Sequence, residues 1–160
     1  MTQVSLKQFV ERAMKGACRV FEQTGAVPPM YHAVTTAGKQ IAFNAPPGDK
    51  DTSVNAVRAY LASLDTVRVA FIAESWTLEE GLTRSEVDEL YRQSGGVRSH
   101  PNRIEAIVIL GEDLHEPTVY AMRKIFRRGN RAVLGALDIY TPTEMEGRMT
   151  TLLPRKDTVQ

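Results

Sequence analysis

Apolar residues recur at three- and four-residue steps over the first part of the chain. This spacing predicts an amphipathic helix with one buried face, which begins after Ser5 and ends at Gly25. Ser5 and Gln8 form a capping-box pattern, in which each side chain can satisfy a backbone N–H of the other residue. A second helix is expected to end at about Leu64. Its predicted cap is one of three residues: Asp51, Thr52 or Ser53.

Alternating patterns and continuous apolar runs predict about seven β-strands. The strands are expected over residues 30–36, 39–45, 67–76, 103–110, 118–127, 132–140 and 145–153. A first hairpin turns at Ala37-Gly38, and a later one turns at Gly129-Asn130, whose residues tolerate positive φ. The strand over 67–76 is apolar on both faces for most of its length, which is typical of a strand inside a sheet.

The order of these elements predicts a single domain over residues 1–160 with an α+β fold. Helices do not alternate with strands, so a parallel α/β sheet is not expected. We expect a mainly antiparallel, twisted sheet with the two longer helices packed on one face. Residues 77–102 form an excursion between two strands, which is expected to hold a short helix. The excursion could be a lid, a partner-binding arm or an insertion without a function. Residues 154–160 form a polar tail.

The composition favours a soluble, cytoplasmic protein without a cofactor. Hydrophobic residues make up 42% and charged residues 24% of the chain, which is ordinary for a globular domain. No apolar run approaches the roughly 20 residues of a membrane span, and the start of the chain lacks a secretory signal pattern. The single cysteine, Cys18, is expected to be a core residue. No phosphate-binding loop or zinc motif is present, so no metal is expected.

Charge is unevenly distributed, although the net charge is +1. Residues 1–73 carry eight basic and five acidic side chains, residues 74–116 carry four and ten, and residues 117–160 carry eight and four. Such an asymmetry can create opposed patches that steer partners or pair subunits. A mixed, solvated surface is the simpler interpretation and is favoured.

One end of the predicted sheet gathers charged and aromatic side chains if two central strands pair antiparallel. This cluster comprises Glu74, Trp76, His100, Arg103 and Glu105. The pattern leaves the register open. If the two faces coincide, Arg103 can bridge the two glutamates in a fork geometry, and two neighbouring carboxylates can act as an acid and a base with His100 as a proton carrier. An ion pair that closes the sheet end under Trp76 is favoured over a catalytic pocket.

A basic hairpin is a second candidate site. It contains Arg123, Lys124, Arg127, Arg128 and Arg131. Five positive charges at one tip could hold phosphates, including a nucleic-acid backbone. Aromatic stacking is offered only by Tyr120 and Phe126, on the opposite face of that strand, so support for single-strand recognition is weak. The tip could equally pair with an acidic region of a neighbouring subunit.

An acidic turn, Glu112-Asp113-Leu114-His115-Glu116, is a third candidate. Its oxygen atoms could hold a hard cation. The turn matches no defined calcium loop, however, and a solvated turn is favoured.

A short block of the chain carries a family resemblance. Its residues are Glu74-Ser75-Trp76, then His100-Pro101-Asn102-Arg103-Ile104-Glu105, and then Glu112-Asp113. The block, about residues 66–113, resembles small conserved bacterial and phage-associated proteins of unknown function. In those proteins a strand that ends in a Glu-Ala-Trp-like element precedes a His-Pro-x-Arg-x-Glu element. The resemblance implies no activity, because none is assigned to that set.

Three functions remain open from the sequence. The first is a binding or accessory protein, encoded by a phage or mobile element, that acts through surface patches or self-association. The second is a small hydrolase or lyase that uses Glu74, His100 and Glu105, with Arg103 holding an anionic substrate. The third is nucleic-acid binding through the basic hairpin. The missing catalytic signature favours the first.

Overall fold

Two helices and seven strands make up the described part of the computed structural model, which covers residues 4–78, 89, 92, 103–141 and 152–153. The elements are α1 Leu6–Thr24, β1 Met30–Thr35, β2 Gln40–Asn44, α2 Lys50–Ser63, β3 Thr66–Leu78, β4 Arg103–Asp113, β5 Val119–Arg128, β6 Arg131–Leu134 and β7 Asp138–Tyr140. Neither of the two helices described combines the length and the apolar run that crossing a membrane takes.

The bounds of α1 confirm the prediction from the sequence. The Gln8 N–H donates to Ser5 Oγ at 3.1 Å, and the Ser5 N–H donates to Gln8 Oε1 at the same distance, which completes the capping box. At the other end Gly25 adopts a left-handed φ of 79° and donates its N–H to the Phe21 carbonyl at 2.7 Å. A glycine tolerates this conformation without a steric penalty, so the helix ends there.

The cap of α2 differs from the prediction. Asp49 caps the helix, and its Oδ1 accepts a hydrogen bond from the Thr52 N–H at 2.9 Å. The predicted caps, including Thr52, lie inside the helix, where Thr52 supplies the N–H that Asp49 binds. The backbone and side-chain hydrogen bonds from Thr52 hold the pKa of Asp49 below its ordinary value.

The strands form one sheet in which all neighbours are antiparallel, so the predicted α+β fold is confirmed. The order is β2-β1-β3-β4-β5-β6, and β7 also pairs with β5. The single strand predicted over 132–140 is two short strands along the same edge of β5. The break lies at Gly135, whose N–H donates to the Lys124 carbonyl at 2.8 Å and keeps the connection against β5.

The two helices contact opposite faces of the sheet, which corrects the prediction that both pack on one face. The core under α1 includes Ala70, Ile72 and Ile109. The core under α2 includes Val69 and Tyr31. Since successive side chains of a strand point to opposite faces, Val69 and Ala70 cannot serve the same core.

Several predictions fall outside the described residues. These are His100, most of the short helix in the excursion, most of the strand over 145–153, and the polar tail over 154–160. Of the excursion beyond β3, Glu89 and Arg92 are described; both are helical and form an ion pair at 2.7 Å.

Candidate functional site

The strand register brings four of the predicted site residues to one face at one end of the sheet. Trp76 lies directly opposite Glu105 in the β3–β4 pair, and Glu74 lies opposite Ile107. Arg103 pairs with position 78, two residues before Glu105, and so shares its face. This is the face that α1 covers. The register that the sequence left open thus places Glu74, Trp76, Arg103 and Glu105 together.

Arg103 contacts the indole ring of Trp76. The guanidinium carbon lies 4.9 Å from the ring centroid, within the range of a cation–π interaction. Trp76 remains 39% exposed, so its ring is accessible although an arginine lies over it. Arg103 thus places a positive charge beside the indole ring at the end of β3.

The two glutamates of the cluster accept hydrogen bonds from other parts of the chain. Glu74 Oε1 accepts the Val27 N–H at 2.9 Å and so joins β3 to the segment after α1. Glu105 Oε2 accepts from Arg127 Nε at 3.1 Å and from Arg127 Nη2 at 2.9 Å. The hydrogen bond to Glu105 raises the pKa of Arg127 above its ordinary value. Both carboxylates are therefore acceptors in structural contacts, and the partner of Glu105 comes from the basic hairpin.

Two arginines of the basic hairpin, Arg123 and Arg127, bind other described residues, and two others, Arg128 and Arg131, stand at its tip. Arg123 donates from Nε to the Gly135 carbonyl at 2.8 Å and from Nη1 to the buried Cys18 Sγ at 3.4 Å. Arg127 is anchored by Glu105. At the tip Arg128 pairs directly with Arg131, and both side chains are exposed. The turn between them is tight, as predicted, with a left-handed φ of 60° at Gly129.

Two surface cavities share Arg127 as a lining residue. The first, which we call the strand-end opening, has a volume of about 340 Å³. It is lined by Trp76, Arg103, Ile104, Glu105, Ile125, Phe126, Arg127 and Arg128. The second has a volume of about 560 Å³ and lies between the end of α1 and the hairpin, with Phe21, Glu22, Arg123 and Arg127 among its lining residues. Arg127 lines both openings.

Phe126 reaches the strand-end opening although it lies on the face opposite Trp76. The pairing of β4 with β5 ends at Glu105 and Ile125. Beyond that point β4 and β5 are no longer paired with each other, so side chains from either face of β5 can border the opening between them. From the alternation along β5, the sequence predicted Phe126 on the face opposite Arg127. Because the pairing of β4 with β5 ends before this point, both side chains nevertheless line the same opening.

The acidic turn is only partly solvated, because Glu112 and Asp113 are buried whereas His115 is exposed. Its carboxylates accept hydrogen bonds from other parts of the chain. Glu112 accepts the N–H groups of Leu152 and Leu153 at 2.7 and 3.1 Å. Asp113 and Glu116 both bind Arg68, at 2.7 and 2.6 Å. No group of His, Cys, Asp and Glu within the described ranges has the arrangement of a metal site.

Arg68 is the main residue that the sequence analysis missed. It stands in a strand that is otherwise apolar for most of its length, and it is buried. A buried arginine needs hydrogen-bond acceptors nearby. Its place inside an apolar strand is therefore the signal from which the sequence could have predicted these ion pairs.

The chain was compared with protein-family models, with curated proteins and with solved structures, and none of these comparisons finds a match. The contacts of the described residues are thus the basis for a proposal about function.

Proposed function

We propose that the protein binds single-stranded nucleic acid at the strand-end opening. The observation that carries this proposal is the lining of that opening. Two exposed aromatic rings, Trp76 and Phe126, border it together with the guanidinium groups of Arg103, Arg127 and Arg128. Aromatic rings and arginines at one place supply the two contacts that an unpaired nucleotide needs, stacking for its base and charge for its phosphate.

The aromatic rings support stacking of bases. Trp76 is 39% and Phe126 is 46% exposed, so both rings are accessible to a ligand. Unpaired bases stack on aromatic rings and on arginine planes. The Arg103–Trp76 pair offers both kinds of surface within one contact. Because every base has a flat face, this arrangement favours binding with little sequence preference.

The arginines support contacts with phosphates. Arg128 and Arg131 lie opposite each other at the exposed tip of the hairpin, beside the opening. Arg127 is held in place by two hydrogen bonds to one oxygen of Glu105, so its guanidinium is oriented before a ligand arrives. Neutralisation of phosphates by such side chains releases counterions and drives binding at low salt.

The same contacts favour a binding protein over a catalyst. A general acid or base must exchange its proton with the substrate within hydrogen-bond reach. Glu74 is occupied by a backbone N–H and Glu105 by Arg127, so neither described carboxylate is arranged for this role. The hydrolase or lyase alternative would depend on His100, which lies outside the described residues.

A salt titration of binding to a labelled oligothymidylate tests the proposal. We expect fluorescence anisotropy to show binding at low salt, with log K falling linearly against log salt. Contacts with three phosphates correspond to a slope of about −2 on a single strand. Absence of binding at the lowest salt would remove nucleic acid as the ligand and return the choice to a protein partner. Equal affinity for a duplex of the same length would show charge attraction without stacking.

Two variants with matched controls separate stacking from charge. Trp76→Ala is expected to cost about 1–3 kcal/mol of binding free energy, because one base loses its stacking surface. Tyr140→Ala removes another exposed ring, on β7 beside the opposite end of β5, and should leave the affinity unchanged. Arg131→Gln should reduce the steepness of the salt dependence by about 0.7, the contribution of one phosphate. Arg12→Gln, at an exposed position on α1, should not change it.

A further inference from the structure

Strand β2 ends the path of the described sheet and carries no charged residue. Its five residues are Gln40, Ile41, Ala42, Phe43 and Asn44. Proteins commonly protect such an edge with lysine, proline or a bulge, because exposed N–H and C=O groups pair readily with another strand. The regular pairing of β1 with β2 runs without a shift from Met30 to Val34. The strand itself therefore lacks these protections, although Lys39 precedes it and Pro46 follows soon after it.

The hydrogen bonds between β1 and β2 show which backbone groups point outward. The Thr35 N–H donates to the Lys39 carbonyl at 2.9 Å, and the Ala45 N–H donates to the Pro29 carbonyl at 3.1 Å. Residues that bond to the partner alternate along an antiparallel strand, so the odd-numbered residues of β2 face β1. The even-numbered residues direct their N–H and C=O groups away from the sheet. These are Gln40, Ala42 and Asn44, and all three are exposed.

We propose that two copies of this chain form a symmetric dimer by antiparallel pairing of β2 with β2 of the partner subunit. A two-fold axis beside Ala42 pairs it with Ala42 of the partner subunit and pairs Gln40 with Asn44 of the partner subunit. Every outward N–H then meets an outward C=O, because the pattern is its own complement under the two-fold rotation. No charge meets a like charge along the strand, and the amide side chains of Gln40 and Asn44 can bond to each other across the axis.

Apolar side chains on the α2 face add to the contact. Ile41 and Phe43 are half-buried there, and Tyr60 of α2 packs on Phe43 with ring centroids 5.0 Å apart. Tyr60 is itself exposed. In the dimer Ile41 lies opposite Phe43 of the partner subunit, so the two apolar strips become continuous across the axis.

The dimer is independent of the proposed nucleic-acid site. Strand β2 and the β5–β6 hairpin are at opposite ends of the strand order. Each copy thus keeps its strand-end opening, whose lining residues belong to β3, β4 and β5 and not to β2. Failure of the dimer would leave the binding proposal unaffected, and the reverse holds as well.

Light scattering coupled to gel filtration tests the pairing. The wild-type protein should have twice the chain mass of 17.8 kDa. Ala42→Lys places two like charges directly opposite each other across the axis and should weaken the dimer at least about tenfold. Ala136→Lys, an exposed alanine beside the other edge of the sheet, should leave the dimer intact. Circular dichroism shows that each variant is folded.

A cysteine pair tests the register. Hydrogen-bonded residues of an antiparallel pair have Cα atoms about 5.5 Å apart, which a disulfide can span. Ala42→Cys should therefore form a covalent dimer under mild oxidation, whereas Ala136→Cys should not. A wild-type protein that stays monomeric at the highest attainable concentration would overturn the proposal, as would a dimer that Ala42→Lys leaves unchanged.

Discussion

Arg68 Nε donates a hydrogen bond to Asp113 Oδ2 at 2.7 Å, and the two side chains are only 3% and 5% exposed. The residues lie directly opposite each other in the β3–β4 pair. Arg68 also binds Glu116 at 2.6 Å and the Val4 carbonyl at 2.7 Å. Glu116 in turn accepts the Leu6 N–H at the start of α1. This clasp joins β3, β4 and α1 at the end of the sheet opposite Trp76.

Loss of Arg68 should strongly destabilise the protein. Arg68→Met leaves Asp113 as a buried carboxylate without its cation, and a buried pair that loses one partner costs about 3–5 kcal/mol. Arg131→Met, at an exposed position, should change the free energy of unfolding by less than about 0.5 kcal/mol. Urea denaturation measures both. Equal stability of the two variants would contradict the importance of the clasp.

Two glycines should respond to alanine with opposite signs. A Cβ atom at Gly111 would clash with Val10 and lie 3.3 Å from Leu6 Cδ1, because α1 packs directly on β4 there. Gly111→Ala should cost about 1–3 kcal/mol through overpacking. At Gly16, inside α1, no heavy atom lies within 4 Å of such a Cβ. Gly16→Ala should stabilise by about 0.5–1 kcal/mol, since alanine favours a helix. Thermal melts of the two variants test the signs.

The buried carboxylate of Glu112 should hold residues 152–153 in place. It accepts both backbone N–H groups of that segment, and the leucine side chains complete the core under α2. Glu112→Gln removes the charge and replaces one of the two acceptor oxygens with an amide NH2 group, so it should cost about 1–3 kcal/mol. Hydrogen exchange should show faster exchange of the Leu152 and Leu153 amides. Unchanged exchange at these two amides would mean that leucine packing alone retains the segment.

His32 should make stability depend on pH in the weakly acidic range. Burial lowers its pKa below the ordinary 6.5, so the unfolded chain takes up a proton before the folded one does. The free energy of unfolding should therefore decrease as the pH falls below 6.5 and level off once the folded imidazole is protonated. His32→Gln should flatten this dependence. Urea titrations between about pH 5 and pH 8 provide the measurement.

Local signals in the sequence predicted the bounds of α1 and the hairpins, but not the cap of α2, which is Asp49. The capping box of Ser5 and the left-handed turns at Gly25 and Gly129 depend on residues close together in the chain. The face of the sheet on which each helix packs does not depend on residues that are close together in the chain. Because β3 is apolar on both faces, its pattern could not show that α1 would cover Ala70 and α2 would cover Val69.

The candidate site was only partly accessible from the sequence. Alternation grouped Glu74 with Trp76 and Arg103 with Glu105, but the register between the two strands depends on long-range pairing. The partner of Glu105 is Arg127, which lies 22 positions away in the chain. Gly135, at the break between β6 and β7, likewise accepts a hydrogen bond from Arg123, 12 positions earlier in the chain. Such contacts depend on three-dimensional proximity, which no local pattern encodes.

Trp76 is the only tryptophan of the chain, and it stands at the strand-end opening under the guanidinium of Arg103. The intrinsic tryptophan fluorescence of the protein therefore reports on the strand-end opening alone. Emission should respond to events at this end of the sheet and remain silent to changes confined to the core under α2. The protein thus carries its own spectroscopic label at the surface where we expect a ligand to bind, and no dye needs to be attached.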